Sequence, residues 1–314
     1  MTKVFIYGSE GTTGLRIFER FEGRDDIEVM KIPSELRKDP EEIKKYINAS
    51  DITFLCLPDK AATEAVELCE NDNTVIIDTS TAHRTEPNWA YGFPELSKEH
   101  RNAIKTSKRI AVPGCYASGF ISLVYPLVKG GILPKDYPLA CFAASGYSGG
   151  GKKLIAEYED PEREAKYGSA RMYAWAQSHK HLKEMKVVTG IERTPLFSPF
   201  TTDYYSGMLV EIPLYTDMLL SHKSPEELRD YLADFYKGEK FIRVNESGKE
   251  AESGNVLFTD TQSGWDGLEI FVTGNEERAV VLSRFDNLGK GASGAAVQCL
   301  NIVMGVDESK GLNI

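Results

Sequence analysis

Cys115 stands in the run Ile110-Ala111-Val112-Pro113-Gly114-Cys115-Tyr116-Ala117-Ser118, where an apolar segment gives way to a Pro-Gly turn. A helix is expected to open at or just after the thiol. Unpaired backbone N–H groups at a helix N-terminus and the positive end of its dipole both favour thiolate. A thiol at the carboxyl end of a strand also lies where open α/β sheets place their ligands. That combination suits a nucleophile. Most free cysteines are instead small buried apolar groups, which is the reading that Cys56, Cys69, Cys141 and Cys299 invite.

Two more clusters carry chemistry-bearing side chains. His179-Lys180-His181 with Glu184 joins the side chain best suited to proton transfer near neutral pH to a carboxylate that can orient it. The two histidines also allow a metal reading, but no third ligand is evident nearby; a polar loop or helix end is the plainer alternative. Ser145-Gly146-Tyr147-Ser148-Gly149-Gly150-Gly151-Lys152-Lys153 offers exposed backbone, hydroxyls and two cations to an anionic group. The same residues also read as a mobile surface loop.

The elements that must position these residues begin with alternation. A short apolar strand at 3–7 precedes Gly8-Ser9-Glu10-Gly11-Thr12-Thr13-Gly14, after which Leu15, Phe18 and Phe21 recur at helical spacing. Strands are expected at 27–32, 52–57 and 75–77, with helices through 41–47 behind Pro40 and through 61–68. Continuous apolar strands alternating with helices argue for a Rossmann-type, doubly wound parallel sheet. Glycines between a first strand and its helix let backbone approach a pyrophosphate, which the helix N-terminus can hold. A tight turn without ligand is the alternative. From about residue 115 the pattern changes to a helix at 121–128, extended runs at 138–145, 186–189, 207–214, 241–244 and 268–272, and a helix at 226–236. This describes a second, α+β domain built on a large mixed sheet. The helix at 291–304, rich in small residues, is expected to return to the nucleotide domain, giving domains of 1–114 with 290–314 and 115–289.

Composition narrows the classes of function. The 314 residues suit two domains, and 41% hydrophobic with 27% charged residues supplies packed cores. A net charge of −10 gives no general attraction for nucleic acid or an anionic membrane, so an anionic ligand needs a local positive site. No run approaches the roughly 18 apolar residues of a membrane span, and the first residues show no leader pattern. Five cysteines without a CxxC pair speak against a disulfide framework or structural zinc. The expectation is a cytoplasmic protein with reduced thiols and no metal.

These motifs, taken in order, resemble the shorter form of the N-acetyl-gamma-glutamyl-phosphate reductase family, which is similar to aspartate-semialdehyde dehydrogenase. The matching pieces are Gly8–Gly14, Asp78–Arg84, Tyr91–Glu95, Pro113–Ala117, Ser145–Lys152, His179–His181 and Asp286–Gly294. The resemblance implies NADPH-dependent reduction of an acyl phosphate to a semialdehyde through a thioester on Cys115. His179 or His181 would be the acid/base and Glu184 its orienter; Lys183 stands where the family carries proline. It further implies that Gly8, Gly11, Thr12, Thr13 and Gly14 hold the dinucleotide, that Asn287 and Gly291 lie beside the nicotinamide, and that Arg84, Ser145, Ser148 and Lys152 serve the substrate. A homodimer or homotetramer is implied as well. Aspartyl phosphate and N-acetyl-aminoadipyl phosphate are alternative substrates, and a nucleotide sensor without chemistry is the alternative outside catalysis.

The cofactor's phosphate state can be read near the second strand. An acidic residue at its tip would accept hydrogen bonds from the 2′-hydroxyl of NAD. Lys31-Ile32-Pro33-Ser34 places none there, and Ser34 with Arg37 or Lys38 suits a 2′-phosphate. Glu35 is the one nearby residue of the opposite tendency. The expectation is NADPH.

Overall fold

Phe5 and Leu55 face one way while Val4, Ile6 and Phe54 face the other, and both sets are buried. A strand whose alternate residues are all apolar must be covered on both faces. The computed structural model, which describes residues 1–246, 248 and 254–314, shows that arrangement. Its chain divides into two compact units, one of Met1–Gly114 with Ala292–Leu312 and one of Cys115–Gly291 with Asn313–Ile314.

In the first unit, strands β1 (Thr2–Tyr7), β2 (Ile27–Met30), β3 (Ile52–Leu55), β4 (Val75–Asp78), β5 (Ala90–Tyr91) and β6 (Arg109–Ala111) form a six-stranded sheet. Their order is β2-β1-β3-β4-β6-β5, and every pairing is parallel. Helix α1 (Thr12–Arg20) covers one face, and α2 (Pro40–Ala49) and α3 (Asp59–Glu67) the other. The last helix of the chain (Gly294–Met304) packs beside α1 on helix Lys98–Thr106, with Ala295, Ala296 and Val297 buried. This is the doubly wound sheet expected of the alternation. Strand β2 stops at Met30, two residues short of the expected tip.

The second unit is built around a helix, Cys115–Lys129, which is buried along almost its whole circumference. A helix apolar on every side must lie inside a domain. It packs on a seven-stranded sheet, in which β7 (Ala140–Gly146), β8 (Arg171–Met172), β9 (Leu196–Thr202), β10 (Met208–Tyr215), β11 (Ile242–Val244), β12 (Leu268–Gly274) and β13 (Arg278–Phe285) take the order β11-β12-β13-β10-β7-β9-β8. Parallel and antiparallel pairs coexist, so the sheet is mixed. Gly119 sets how closely the helix approaches: a Cβ there would lie 2.5 Å from Val210 Cγ2 and 2.8 Å from Ser283 Oγ.

Two expectations need correction in this unit. Residues 186–189 are the end of a helix, His181–Thr189, not a strand. The Val-Val-Thr run favours extended structure by itself, but Leu182, Met185 and Thr189 recur at helical spacing and are buried, and the helix packs on Cys115–Lys129. Burial of one face outweighs a weak local preference. The glycines after Ser145 also do not form a free loop. They make one 3₁₀ turn, Tyr147–Gly150, that runs into helix Gly151–Glu159, and Ser145 and Ser148 are buried.

The first unit's C-terminal segment is tied down by charge. Arg24 holds Asp26 at 2.7 Å, Lys310 reaches the same carboxylate at 3.0 Å, and Arg24 also donates to Asn301 Oδ1 at 2.7 Å. The hydrogen bond from Arg24, with that from Lys310, holds the Asp26 carboxyl well below its ordinary 3.8. A carboxyl whose folded-state pKa is depressed stabilises the fold above its unfolded value, and that stability is lost as pH falls through the lowered one. Asp26→Asn should therefore lower the melting temperature at neutral pH by a few degrees, and the gap to wild type should close as the solution is taken below pH 3.8. Thermal melts of both proteins across that range check it; a gap that stays constant in acid would exclude the pair as its source.

Candidate active site

Cys115 is the first residue of its helix, at the positive end of the helix dipole, and is half-buried. The other cysteines sit differently. Burial pushes the Cys56 thiol up to about 12 and raises Cys141 further, and Cys299 is buried with its thiol toward Gly92 O at 3.6 Å. Gly291 lies in the π-helical turn Gly289–Ser293 directly against Cys115. A Cβ at 291 would come within 2.9 Å of Cys115 Cβ, which leaves room for hydrogen alone.

A cavity of about 290 Å³ opens at Cys115, walled by Tyr116, Ser145, Gly146, Gly149, Gly150, Leu154, Arg171, Tyr173, His179 and Thr201. His179 is held there by aromatic rings. Its centroid lies 5.1 Å from Phe197, 5.7 Å from Tyr116 and 5.9 Å from Tyr173. Its Nδ1 accepts the backbone N–H of His181 at 3.1 Å, so the neutral ring carries its proton on Nε2. Burial raises both the Tyr116 and Tyr173 phenols well above the usual tyrosine range, keeping them neutral beside the thiol.

The remaining residues expected on the substrate side divide. Ser145 is on the cavity wall, while Ser148 is buried behind it, accepting a hydrogen bond from Asn287 Nδ2 at 3.0 Å. Asn287 in turn accepts from Gly207 N–H at 2.9 Å, so its amide braces the glycine turn. Lys152 is exposed in the first turn of helix Gly151–Glu159, away from the cavity wall. His181 heads helix His181–Thr189 and Glu184 is buried in its first turn. Arg84 belongs to the first unit, buried, with Nε on Val112 O at 2.8 Å and Nη2 on Thr79 O at 2.9 Å.

A second cavity, of about 600 Å³, lies in the first unit at the carboxyl ends of β1 and β2. Its walls include Gly8, Ser9, Glu10, Lys31, Ser34, Arg37 and Lys38. Gly8 takes a φ of +94°, and a Cβ there would overlap the backbone of Cys56. Gly11 caps α1 without a side chain and donates its N–H to Gly8 O at 3.0 Å; a Cβ on Gly14 would collide with Gly8 O. The first turn of α1 holds no acidic residue, and among the described residues the buried Thr12 hydroxyl has no hydrogen-bond partner. Bare helix N–H groups, an unsatisfied hydroxyl and a glycine-only approach fit a dinucleotide pyrophosphate. Thr13 follows in the same turn. Lys31, Arg37 and Lys38 surround the ribose end, Arg37 is paired with Glu10, and Glu35 is not on the wall.

Comparison with known proteins agrees with this division. The semialdehyde dehydrogenase NAD-binding domain family model matches residues 1–104, and the semialdehyde dehydrogenase dimerisation domain model matches 115–287. An N-acetyl-gamma-glutamyl-phosphate reductase of Nostoc sp. is 43% identical, covering 99% of both chains. One from Brucella ovis is 44% identical over 96% of this chain and 99% of its own. The chain belongs to the N-acetyl-gamma-glutamyl-phosphate reductase family. Its fold is also that of aspartate-semialdehyde dehydrogenases from Francisella tularensis (TM-score 0.72, 14% identity, 97% of this chain and 100% of the other) and Vibrio cholerae (TM-score 0.71, 14% identity, 97% and 98%).

Leu154, Arg171, Tyr173 and Thr201 on the cavity wall escaped the sequence reading, and so did Gln177, which lies off the wall. Tyr173 and Arg171 occupy and precede a loop with no periodicity to mark it, and Gln177 acts through backbone. The Gln177 amide donates to Phe197 O at 2.9 Å and accepts Phe197 N–H at 2.8 Å, imitating one more strand residue beside β9. Ala174 and Gln177 both hold left-handed φ values, +56° and +53°, which non-glycine residues adopt only where surroundings enforce them. Gln177→Ala should release the segment carrying His179 and lower kcat by about 10- to 100-fold, the usual consequence of a misplaced catalytic group. KM and melting temperature should change little. Steady-state kinetics with a thermal melt decide; unchanged kcat would mean that the rings alone position His179.

Proposed function

We propose that this protein reduces N-acetyl-L-glutamyl 5-phosphate to N-acetyl-L-glutamate 5-semialdehyde and phosphate, using NADPH, in arginine biosynthesis. The observation that carries the reading is the shared cavity of Cys115 and His179 in a chain of this family. The thiolate of Cys115 attacks the acyl carbon, the C–O bond to phosphate breaks, and a thioester remains. Gly8, Gly11, Thr12 and the first turn of α1 would hold the dinucleotide, which when bound supplies the hydride that reduces the thioester. His179, protonated on Nε2, gives its proton to the oxyanion of the tetrahedral adduct. It takes that proton back as the C–S bond breaks, so that aldehyde leaves and thiolate is restored. Glu184, buried in the first turn of the helix that follows, would orient the ring. Ser145 lies on the substrate side of the cavity, with Ser148 and Asn287 bracing it; Arg84 and Lys152 carry positive charge suited to the phosphate.

The outer face of the mixed sheet exposes Phe142, Leu196 and Tyr215 by 45%, 67% and 59%. An uncovered apolar sheet face supports a homodimer or homotetramer joined through it. Among the described residues no helix is long and apolar enough to cross a membrane, and the reading places the enzyme in the cytoplasm.

Cys115→Ser keeps the size but replaces the thiolate with a far poorer nucleophile, so turnover should fall by orders of magnitude while the melting temperature holds. Phosphate-dependent reduction of NADP with N-acetylglutamate semialdehyde, run beside the aspartate and aminoadipate analogues, measures this and the substrate together. Iodoacetamide should label Cys115 first. Near-normal activity of the serine variant would exclude the covalent route.

Three cations against one carboxylate at the ribose end favour a 2′-phosphate. The ratio of kcat/KM for NADPH over NADH should exceed one in wild type and fall at least tenfold in Arg37→Ala with Lys38→Ala. A wild-type preference for NADH would reject the assignment.

A further inference from the structure

Strand register places three hydrogen-bond donors in a row beside the nucleophile. Arg171 on β8 pairs with Thr201 on β9, and Thr201 pairs with Ser145 on β7, so all three point to one face of the sheet. That face is the cavity of Cys115, and all three line it. The row spans two inter-strand spacings, about 9–10 Å between its end Cα atoms. Ser145 stands at the end of the row in the sheet's interior and Arg171 at the sheet's edge. Among the lining residues Arg171 is the one permanently charged group, and no carboxylate accompanies it.

Its guanidinium is held loosely. Glu157 lies 4.0 Å away, beyond hydrogen-bond distance, and the Tyr158 ring 5.8 Å below. Among the described residues no hydrogen bond engages the guanidinium, and 44% of the side chain is exposed. An arginine with an unoccupied fork, lining a cavity otherwise neutral apart from the thiol and imidazole, is suited to a bidentate carboxylate.

We infer that Arg171 binds the α-carboxylate of the substrate, at the end of the row opposite the reacting carbonyl, and so selects acyl phosphates that carry a carboxylate at their far end. The inference rests on the proposed reaction. Two anions must be told apart in that substrate, the carboxylate and the phosphate, and the row gives the carboxylate the position remote from the phosphate-expelling carbon.

The test runs the reaction towards acyl phosphate with wild type, Arg171→Ala and Arg171→Lys. The aldehydes are N-acetylglutamate 5-semialdehyde and 4-acetamidobutanal, which is the same molecule without its carboxylate. Arg171→Ala should lower kcat/KM for the first by about 10- to 100-fold, mainly through KM, the usual scale for a charge-assisted pair. Arg171→Lys should recover part of it. With 4-acetamidobutanal all three should agree within about twofold, which also shows that the variants are folded, and KM for phosphate should not move. Equal losses on both aldehydes would overturn the inference, as would a raised KM for phosphate, which would make Arg171 a phosphate ligand. Wild-type inactivity with N-acetylglutamate semialdehyde would instead overturn the proposed substrate, and the carboxylate assignment with it.

Discussion

Because Tyr116–Val124 are buried on every side of the helix that Cys115 begins, that stretch of the helix has no solvent-facing surface along which it could shift. Well-packed interiors behave as close-packed solids, so displacing the helix would open voids or force overlaps. Gly119 lies flush against Val210 at its middle, and Gly291 lies flush against Cys115 at its start. Cys115, the proposed nucleophile, therefore inherits its position from a core. A reactive thiol on a loop would have to be ordered at each turnover, at an entropic cost; here that ordering is completed during folding.

His179, the proposed acid/base, is placed by different means. His179 lies in a stretch without regular structure, and its position comes from ring contacts with Tyr116, Tyr173 and Phe197 and from one backbone hydrogen bond. Tyr116 belongs to the same helix as Cys115, so one rigid element touches both groups. This geometry also divides the labour of the histidine pair. His181 contributes its main-chain N–H, which fixes the tautomer of its neighbour, whereas the imidazole on the cavity wall is that of His179.

How much of this was readable from the sequence follows from where the information resides. The parallel sheet was legible because strands covered on both faces are apolar throughout, as Ile52–Leu55 are. Cys115 was legible because Pro113-Gly114 breaks one element just before the next begins. The helix His181–Thr189 was misread since its last residues prefer extended structure alone and are held helical by packing on another element. Of the two readings of Ser145–Gly151, the mobile loop fails for a related reason: glycines that look flexible in isolation pack where Ser148, Asn287 and Gly207 approach one another. Arg171, Tyr173 and Gln177 left no trace in the sequence: strand register aligns Arg171 with Thr201 and Ser145, and hydrogen bonds to the Pro199 and Phe197 backbone hold Tyr173 and Gln177, all between segments apart in the chain.

That register reconciles the chain's charge with its ligand. A protein of net charge −10 repels anions at long range, yet among the described residues no carboxylate lines the cavity at Cys115. Interactions between exposed charges fade beyond a Debye length, about 8 Å at physiological ionic strength. A ligand inside the cavity is therefore governed by the groups that touch it: helix N–H groups at Cys115, hydroxyls along the strands and one guanidinium at the edge. Clearing acids from a few adjacent strand positions is enough to make a locally positive site on an acidic protein. The mixed sheet, by aligning alternate residues of neighbouring strands on one face, is what allows so few positions to suffice.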